Sequence, residues 1–220
     1  MPHQPTVTFM PTVLLTGFDA FGGYSMNPSW LAVEALHDEV LRGHRIVAAQ
    51  LPTTFAGSGS VLLKLLRKHK PALVVCVGLA GGRSALSLER IAINVDDARI
   101  ADNAGARPVD VPVVEGGPPA YFSTLPIKAM FQSLTTAGVA AEVSQTAGTF
   151  VCNHVFYVLM QALKKQRKRS TRGGFVHVPY LPGQVLPCMA LEDVVRGLRL
   201  AITSALTTEH DARIGAGALN

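Results

Sequence analysis

Residues Pro71–Gly78 read PALVVCVG, a run with no charged or amide side chain at any position. A strand wet on one face alternates polar with apolar residues, whereas a run apolar on both faces belongs to a central parallel strand covered on both sides. Working outward from it, Thr12–Gly17 (TVLLTG) and Arg45–Leu51 read as strands before it, and Ala140–Ser144 and Gly174–Val178 as strands after it. Helical patterns lie between. Asn27-Pro28 supplies an N-cap and a proline at the first helical position, opening a helix to about Val40. Ala56–His69 carries leucines at helical spacing and a basic C-terminal end. Pro126–Ala137, Val151–Gln166 and Leu191–Leu206 complete the helical set. Such alternation predicts an α/β domain, a three-layer α/β/α sandwich around a mostly parallel twisted sheet. Leu86–Asn94 (LSLERIAIN) is expected as one further strand, and the Gly- and Pro-rich Asp102–Pro119 as a long loop with a hairpin.

The chain has 220 residues, 48% of them hydrophobic and 16% charged, which suits a globular domain with a sizeable core. No run of about 18 apolar residues occurs, so no transmembrane helix is expected. The opening MPHQPTVTFMPTVLLTG lacks the basic and long apolar regions of a signal peptide. Residues 1–9 are expected to be a disordered extension, with Met10 a candidate natural start, and residues 10–220 a single domain. Three cysteines, an odd number, argue against a disulfide scaffold and for a reducing cytoplasm. The net charge of +5 is modest, and Lys164–Arg172 (KKQRKRSTR) supplies much of it. That run has no interleaved aromatics and accompanies no RRM, KH or OB signature, so nucleic acid is not an expected partner.

Candidate chemistry centres on three residues. Cys152, in GTFVCNHVFY, follows small turn-prone residues and opens a helix, where unpaired N–H groups and the helix dipole would stabilise a thiolate. A cysteine there also fits a buried structural role. His177, in GGFVHVPYLPGQ, ends a buried strand, which is where α/β sheets place site residues; it also fits a satisfied core histidine. Glu89 is a carboxylate within an otherwise apolar strand and needs a partner. Neighbouring Arg90 points to the opposite face of a strand.

Four segments, in their order and spacing, resemble the pyroglutamyl peptidase I family, also called pyrrolidone carboxylate peptidases. They are TGFDAFGGYSMNPS (Thr16–Ser29), VGLAGGRSALSLERIAINVDDARIADN (Val77–Asn103), SQTAGTFVCNH (Ser144–His154) and GFVHVPYLPGQ (Gly174–Gln184). The resemblance implies a cysteine peptidase that removes N-terminal pyroglutamate from peptides through a thioester, with Cys152, His177 and Glu89 as its triad. It further implies that the oxyanion is held by the Cys152 backbone N–H and by Arg99. The competing reading of Arg99 is a salt bridge with Asp96 or Asp97. Phe18 and Phe21 match ring-sandwiching aromatics, Ile100, Phe150 and Val151 match further pocket positions, and Asn27 matches an asparagine that shapes the loop. The resemblance implies no cofactor and no metal, and a homo-oligomer, a tetramer or dimer. It also implies a fold akin to purine nucleoside phosphorylases.

The chain departs from the family pattern at Leu79, where several relatives carry glutamine in a role expected to be a backbone one. The connection between Tyr180 and Leu191, which holds Cys188, is shorter than in many relatives. Cys76, inside VVCVG, is expected in the core. A rival reading is a phosphate- or nucleotide-binding α/β protein using GLAGGRS, but no GK[ST] follows and no third glycine falls in register. A serine hydrolase is disfavoured by the absence of G-x-S-x-G, and Cys152 with His154 makes no zinc ligand set.

Overall fold

The computed structural model describes residues 10–166 and 171–217. The expected disordered extension at residues 1–9 and the centre of the basic run at residues 167–170 lie outside the described residues.

The chain begins with β1 (Thr12–Phe18) and α1 (Pro28–Glu34), then β2 (Val40–Leu41) and β3 (His44–Leu51). α2 (Phe55–His69) leads into β4 (Leu73–Leu79), which is followed by β5 (Leu86–Glu89), β6 (Ile91–Ile93) and β7 (Ala120–Phe122). α3 (Ile127–Thr136), β8 (Ala141–Ser144), α4 (Val151–Lys165), β9 (Arg172–Val178) and α5 (Leu191–Thr207) complete the domain. Seven strands form one sheet in the order β2-β3-β1-β4-β9-β5-β8. Pairings β1–β3, β1–β4, β4–β9 and β5–β8 are parallel, while β2–β3 and β5–β9 are antiparallel. β4 is central, and every residue from Leu73 to Gly78 is buried, as the opening run predicts.

Each face of the sheet is covered by helices. Ala32, Val33, Met130, Leu134, Val194 and Leu198 of α1, α3 and α5 pack in one core with Val13, Val75 and Val176. Leu62 and Leu66 of α2 and Val155, Phe156 and Leu159 of α4 pack in the other with Leu14, Val74 and Phe175. The three-layer sandwich is therefore present. Gly17 permits one close approach between layers, since a Cβ there would lie 2.7 Å from Ser29 O at the start of α1.

Three local expectations are corrected. α1 ends at Glu34 rather than near Val40, because Val40 and Leu41 leave the helix to pair with β3. Leu86–Asn94 is not one strand. Its first half, β5, lies in the main sheet, and after a break at Arg90 its second half, β6, pairs with β7 in a separate two-stranded sheet. No hairpin forms within Asp102–Pro119; the segment makes a single bridge, Asp96 to Val111, before β7. The break gives α4 something to hold. Asn153, fully buried, accepts from Ile93 N at 3.0 Å and donates to Ile93 O and Val95 O at 2.9 Å each. Asp96 Oδ2 meets His154 Nδ1 at 2.8 Å, and Tyr157 Oη donates to Pro118 O at 2.7 Å.

Cys76 is fully buried on β4, and burial pushes its thiol up to about 12 against a smaller pull from the Thr16 hydroxyl. An unfolded thiol ionises near 8.5, so this group's stabilising effect is complete below that pH and is lost as pH rises towards the folded value. We expect the denaturation midpoint of the wild type to fall more steeply between about pH 8.5 and 11 than that of Cys76→Ala. Equal slopes in urea titrations would contradict this.

Candidate active site

The cavity that gathers the candidate residues opens at the C-terminal ends of β1, β4 and β9, where open α/β sheets bind ligands. Its volume is about 250 Å3, and its lining includes Phe18, Phe21, Asn27, Leu79, Phe150, Cys152 and His177. That is small beside the roughly 300–1,000 Å3 of drug-sized sites, and suits a compact ligand between apolar walls.

Register explains how the polar groups meet. On the antiparallel β5–β9 pair, Glu89 lies opposite Phe175 and Ser87 opposite His177, so Glu89 is a diagonal neighbour of His177 on the same face. The hydrogen bond between His177 Nδ1 and Glu89 Oε1 measures 2.7 Å. On the parallel β4–β9 pair, His177 lies opposite Gly78. The Cys152 sulfur occupies the space above that glycine, because a Cβ on Gly78 would come within 2.7 Å of Sγ. The thiol thus stands over β4, one strand spacing of about 4.8 Å from the strand that carries the imidazole.

Cys152 is the second residue of α4, whose N-cap, Phe150, offers no side-chain hydrogen bond. The first-turn amides are therefore not claimed by a capping side chain, and the helix points its positive end at the cavity. Ala147 and Gly148, with Gly148 at φ +75°, lie on the irregular segment that leads into this end and line the cavity.

The loop after β1 is braced from several sides. Asn27 caps α1 by accepting from Ser29 N at 3.0 Å, and its amide donates to Asp19 O at 2.9 Å. Asp19 Oδ1 accepts from Thr53 N at 2.7 Å. Phe18 is 2% exposed and packs on Phe175 with ring centroids 6.4 Å apart, so it serves the core and the cavity together. Phe21 faces Phe150 at 6.2 Å.

Burial is the largest influence on Glu89 and opposes ionisation. The hydrogen bond and charge of His177, the Ser144 hydroxyl and the Arg83 charge outweigh it, and the carboxyl is held below the usual range. Burial pushes the Cys152 thiol up, the Glu89 and Cys76 charges add to this, and Arg83 opposes it. The expectation of a thiolate stabilised at rest by the helix end is corrected accordingly. The residue keeps some exposure to the cavity, yet β4 and Phe175 close in on its sulfur from the other side, and that desolvation opposes what the helix end favours.

The remaining candidates do not all converge. Arg99 and Ile100 are exposed and do not line the cavity. Their segment is anchored on both sides, by Asp97 N to Thr149 O and Ala98 N to Pro108 O before them and by Asp102 Oδ2 from Phe55 N after them. That leaves the two side chains at an outer turn. No ion pair of Arg99 with Asp96 or Asp97 forms among the described residues; Asp96 is engaged by His154. Val151 is fully buried in the core beneath the helix start. Sequence reasoning missed Arg83, Gly78 and Asn153. Of these, only Arg83 carried a signal, a charge placed shortly before a buried carboxylate.

An α/β sheet that brings a thiol, an imidazole and a buried carboxylate to one small cavity is the architecture of a cysteine hydrolase. A model of the pyroglutamyl peptidase family matches residues 11–208. A pyrrolidone-carboxylate peptidase of Cupriavidus taiwanensis is 55% identical over 216 residues, covering 96% of this chain and all of that protein. One of Bacillus cereus is 51% identical over 92% of this chain and 96% of its own length. The crystal structure of pyroglutamyl peptidase I from Bacillus amyloliquefaciens superposes with TM-score 0.91 at 44% identity, over 94% of this chain and 100% of that one. The pyrrolidone carboxyl peptidase from Thermococcus litoralis gives 0.90 at 34% identity over the same shares. The chain belongs to the pyroglutamyl peptidase family.

No helix among the described residues is long and apolar enough to cross a membrane, and they contain no group of three or more His, Cys, Asp or Glu residues arranged to hold a metal ion.

Proposed function

We propose that this chain hydrolyses the bond after an N-terminal pyroglutamyl residue, with Cys152 as nucleophile, His177 as general base and acid, and Glu89 orienting the imidazole. The 2.7 Å bond from His177 Nδ1 to Glu89 carries this reading, because it leaves Nε2 as the nitrogen available to the thiol. As the sulfur attacks the carbonyl carbon, its proton passes to Nε2, and the S–C bond forms while the carbonyl oxygen gains the charge. The Cys152 backbone N–H at the head of α4 faces that oxygen. Collapse of the tetrahedral species breaks the C–N bond, and His177 returns the proton to the departing amine. Water, deprotonated by His177, then cleaves the thioester and restores the thiol. Because the resting thiol is raised, deprotonation belongs to the attack itself, and Glu89 stabilises the imidazolium only while it exists.

The aromatic walls from Phe18, Phe21 and Phe150 support a small uncharged ring as the ligand. A fluorogenic pyroglutamyl amide, set against the matching prolyl amide, tests this reading. The wild type is expected to release the amine from the pyroglutamyl compound alone, and Cys152→Ala to release none. Equal turnover of both amides would remove the lactam specificity.

A further inference from the structure

Oε1 of Glu89 has two partners. His177 Nδ1 approaches it at 2.7 Å, and Arg83 Nη1 at 2.6 Å. The second nitrogen of the same guanidinium, Nη2, donates to Thr146 O at 3.0 Å. Arg83 lies on the loop after β4, follows Gly82 at φ +82° and lines the cavity. Thr146 stands in the segment between β8 and α4, shortly before Cys152 in the first turn of that helix. One side chain therefore touches the acid of the proposed triad and the approach to its nucleophile.

We propose that Arg83 is a positioning residue for the reaction, clamping Glu89 against His177 with one nitrogen and tying that pair to the Cys152 segment with the other. The inference rests on the Cys152–His177–Glu89 reading given above.

Three features point beyond simple loop anchoring. The carboxylate is wholly buried while the Arg83 side chain is 25% exposed, so the cation reaches inward from the cavity rim to a group that water does not reach. Oε2 of Glu89 has no hydrogen-bond partner among the described residues, since the Ser144 hydroxyl, near enough to favour the carboxylate, donates to Thr146 O at 3.0 Å. The orientation of the carboxylate thus depends on what holds Oε1, and a planar guanidinium held at two points is suited to fixing it. Arg83 also pairs its charge with that of Glu89, so His177 adjoins a neutral pair rather than a lone anion. The other groups that face this carboxylate are Ser144 from β8 and Cys152 from α4, and Cys76 on β4 acts on the Cys152 thiol. Glu142, one register away on β8, is engaged by Ser87 Oγ at 2.6 Å.

Removing the cation leaves an unbalanced anion beside the general base and a carboxylate held at one point instead of two. The acid limb of the rate profile must move upward. The test is the pH dependence of kcat and KM on a pyroglutamyl amide for the full chain, its Arg83→Met and Arg83→Lys forms, and Cys152→Ala. For Arg83→Met, kcat is expected to fall about tenfold or more with little change in KM. Its acid limb is expected to shift up by about half a unit to one unit. Arg83→Lys keeps the charge and loses the fork, so its acid limb should stay in place while kcat remains below the wild type. Arg83→Lys also decides the matter if Arg83→Met does not fold, since wild-type kcat in that form would overturn the positioning role. A fall in kcat for Arg83→Met with an unmoved acid limb would reduce Arg83 to a structural anchor and overturn the inference. Where Cys152→Ala alone silences the enzyme, wild-type behaviour of the single variant Arg83→Met would overturn this inference and leave the triad reading standing, whereas activity surviving Cys152→Ala would overturn both.

Discussion

Cys152→Ala and His177→Ala are each expected to lower turnover of a pyroglutamyl amide by about 10^4-fold or more, and the double variant to be no slower than either alone. The reason is that the two side chains perform one event. Without the imidazole the raised thiol keeps its proton, and without the thiol the imidazole has no nucleophile to activate. Cys152→Ala removes one sulfur that lies over a glycine, and His177→Ala removes one tilted ring contact with Phe175, centroids 4.8 Å apart. Circular dichroism should therefore show folded protein in all three cases. Losses that multiply in the double variant would mean that the two residues act independently, and that another group serves as the base.

Gly78→Ala is expected to reduce kcat by about 100-fold or more while leaving a folded chain, because displacement of a reacting atom by about 1 Å costs that much. The added methyl would meet Sγ of Cys152 at 2.7 Å and Cζ of Phe175 at 2.8 Å, distances that real Cβ atoms essentially never show. Something must move, and the side chain at the open end of the cavity is freer than the ring packed in the core. Overpacking of this kind also destabilises by about 1–3 kcal/mol, so a fall in Tm should accompany the loss. A folded Gly78→Ala enzyme with wild-type kcat would show that the nucleophile does not depend on the vacant side-chain position of β4.

Much of this was legible beforehand, for identifiable reasons. The central strand, the flanking helices and the three-layer arrangement follow from apolar periodicity, which is dictated by burial and written along the chain. Glu89 and His177 stood out because each is a polar residue in an apolar strand, and the register then brings them together. The break between β5 and β6 was not legible: LSLERIAIN keeps its strand pattern through Arg90, and the second half is held in another sheet by β7 and by Asn153, both far away in the chain. Arg83 escaped notice because a charged residue in a glycine turn reads as solvated. The state of the thiol escaped as well, since a helix start favours the anion locally while the desolvation that opposes it comes from β4 and Phe175.

The proposed nucleophile, base and carboxylate sit on α4, β9 and β5, and the histidine and glutamate that bond are 88 positions apart in the chain. Their meeting depends on the parallel pairing of β4 with β9 and the antiparallel pairing of β9 with β5, which join strands far apart in the chain. Catalytic rate is thus an all-or-nothing gauge of assembly. In a heated or denatured sample, residual turnover counts the molecules whose sheet is still whole, and partly folded ones contribute nothing to the signal.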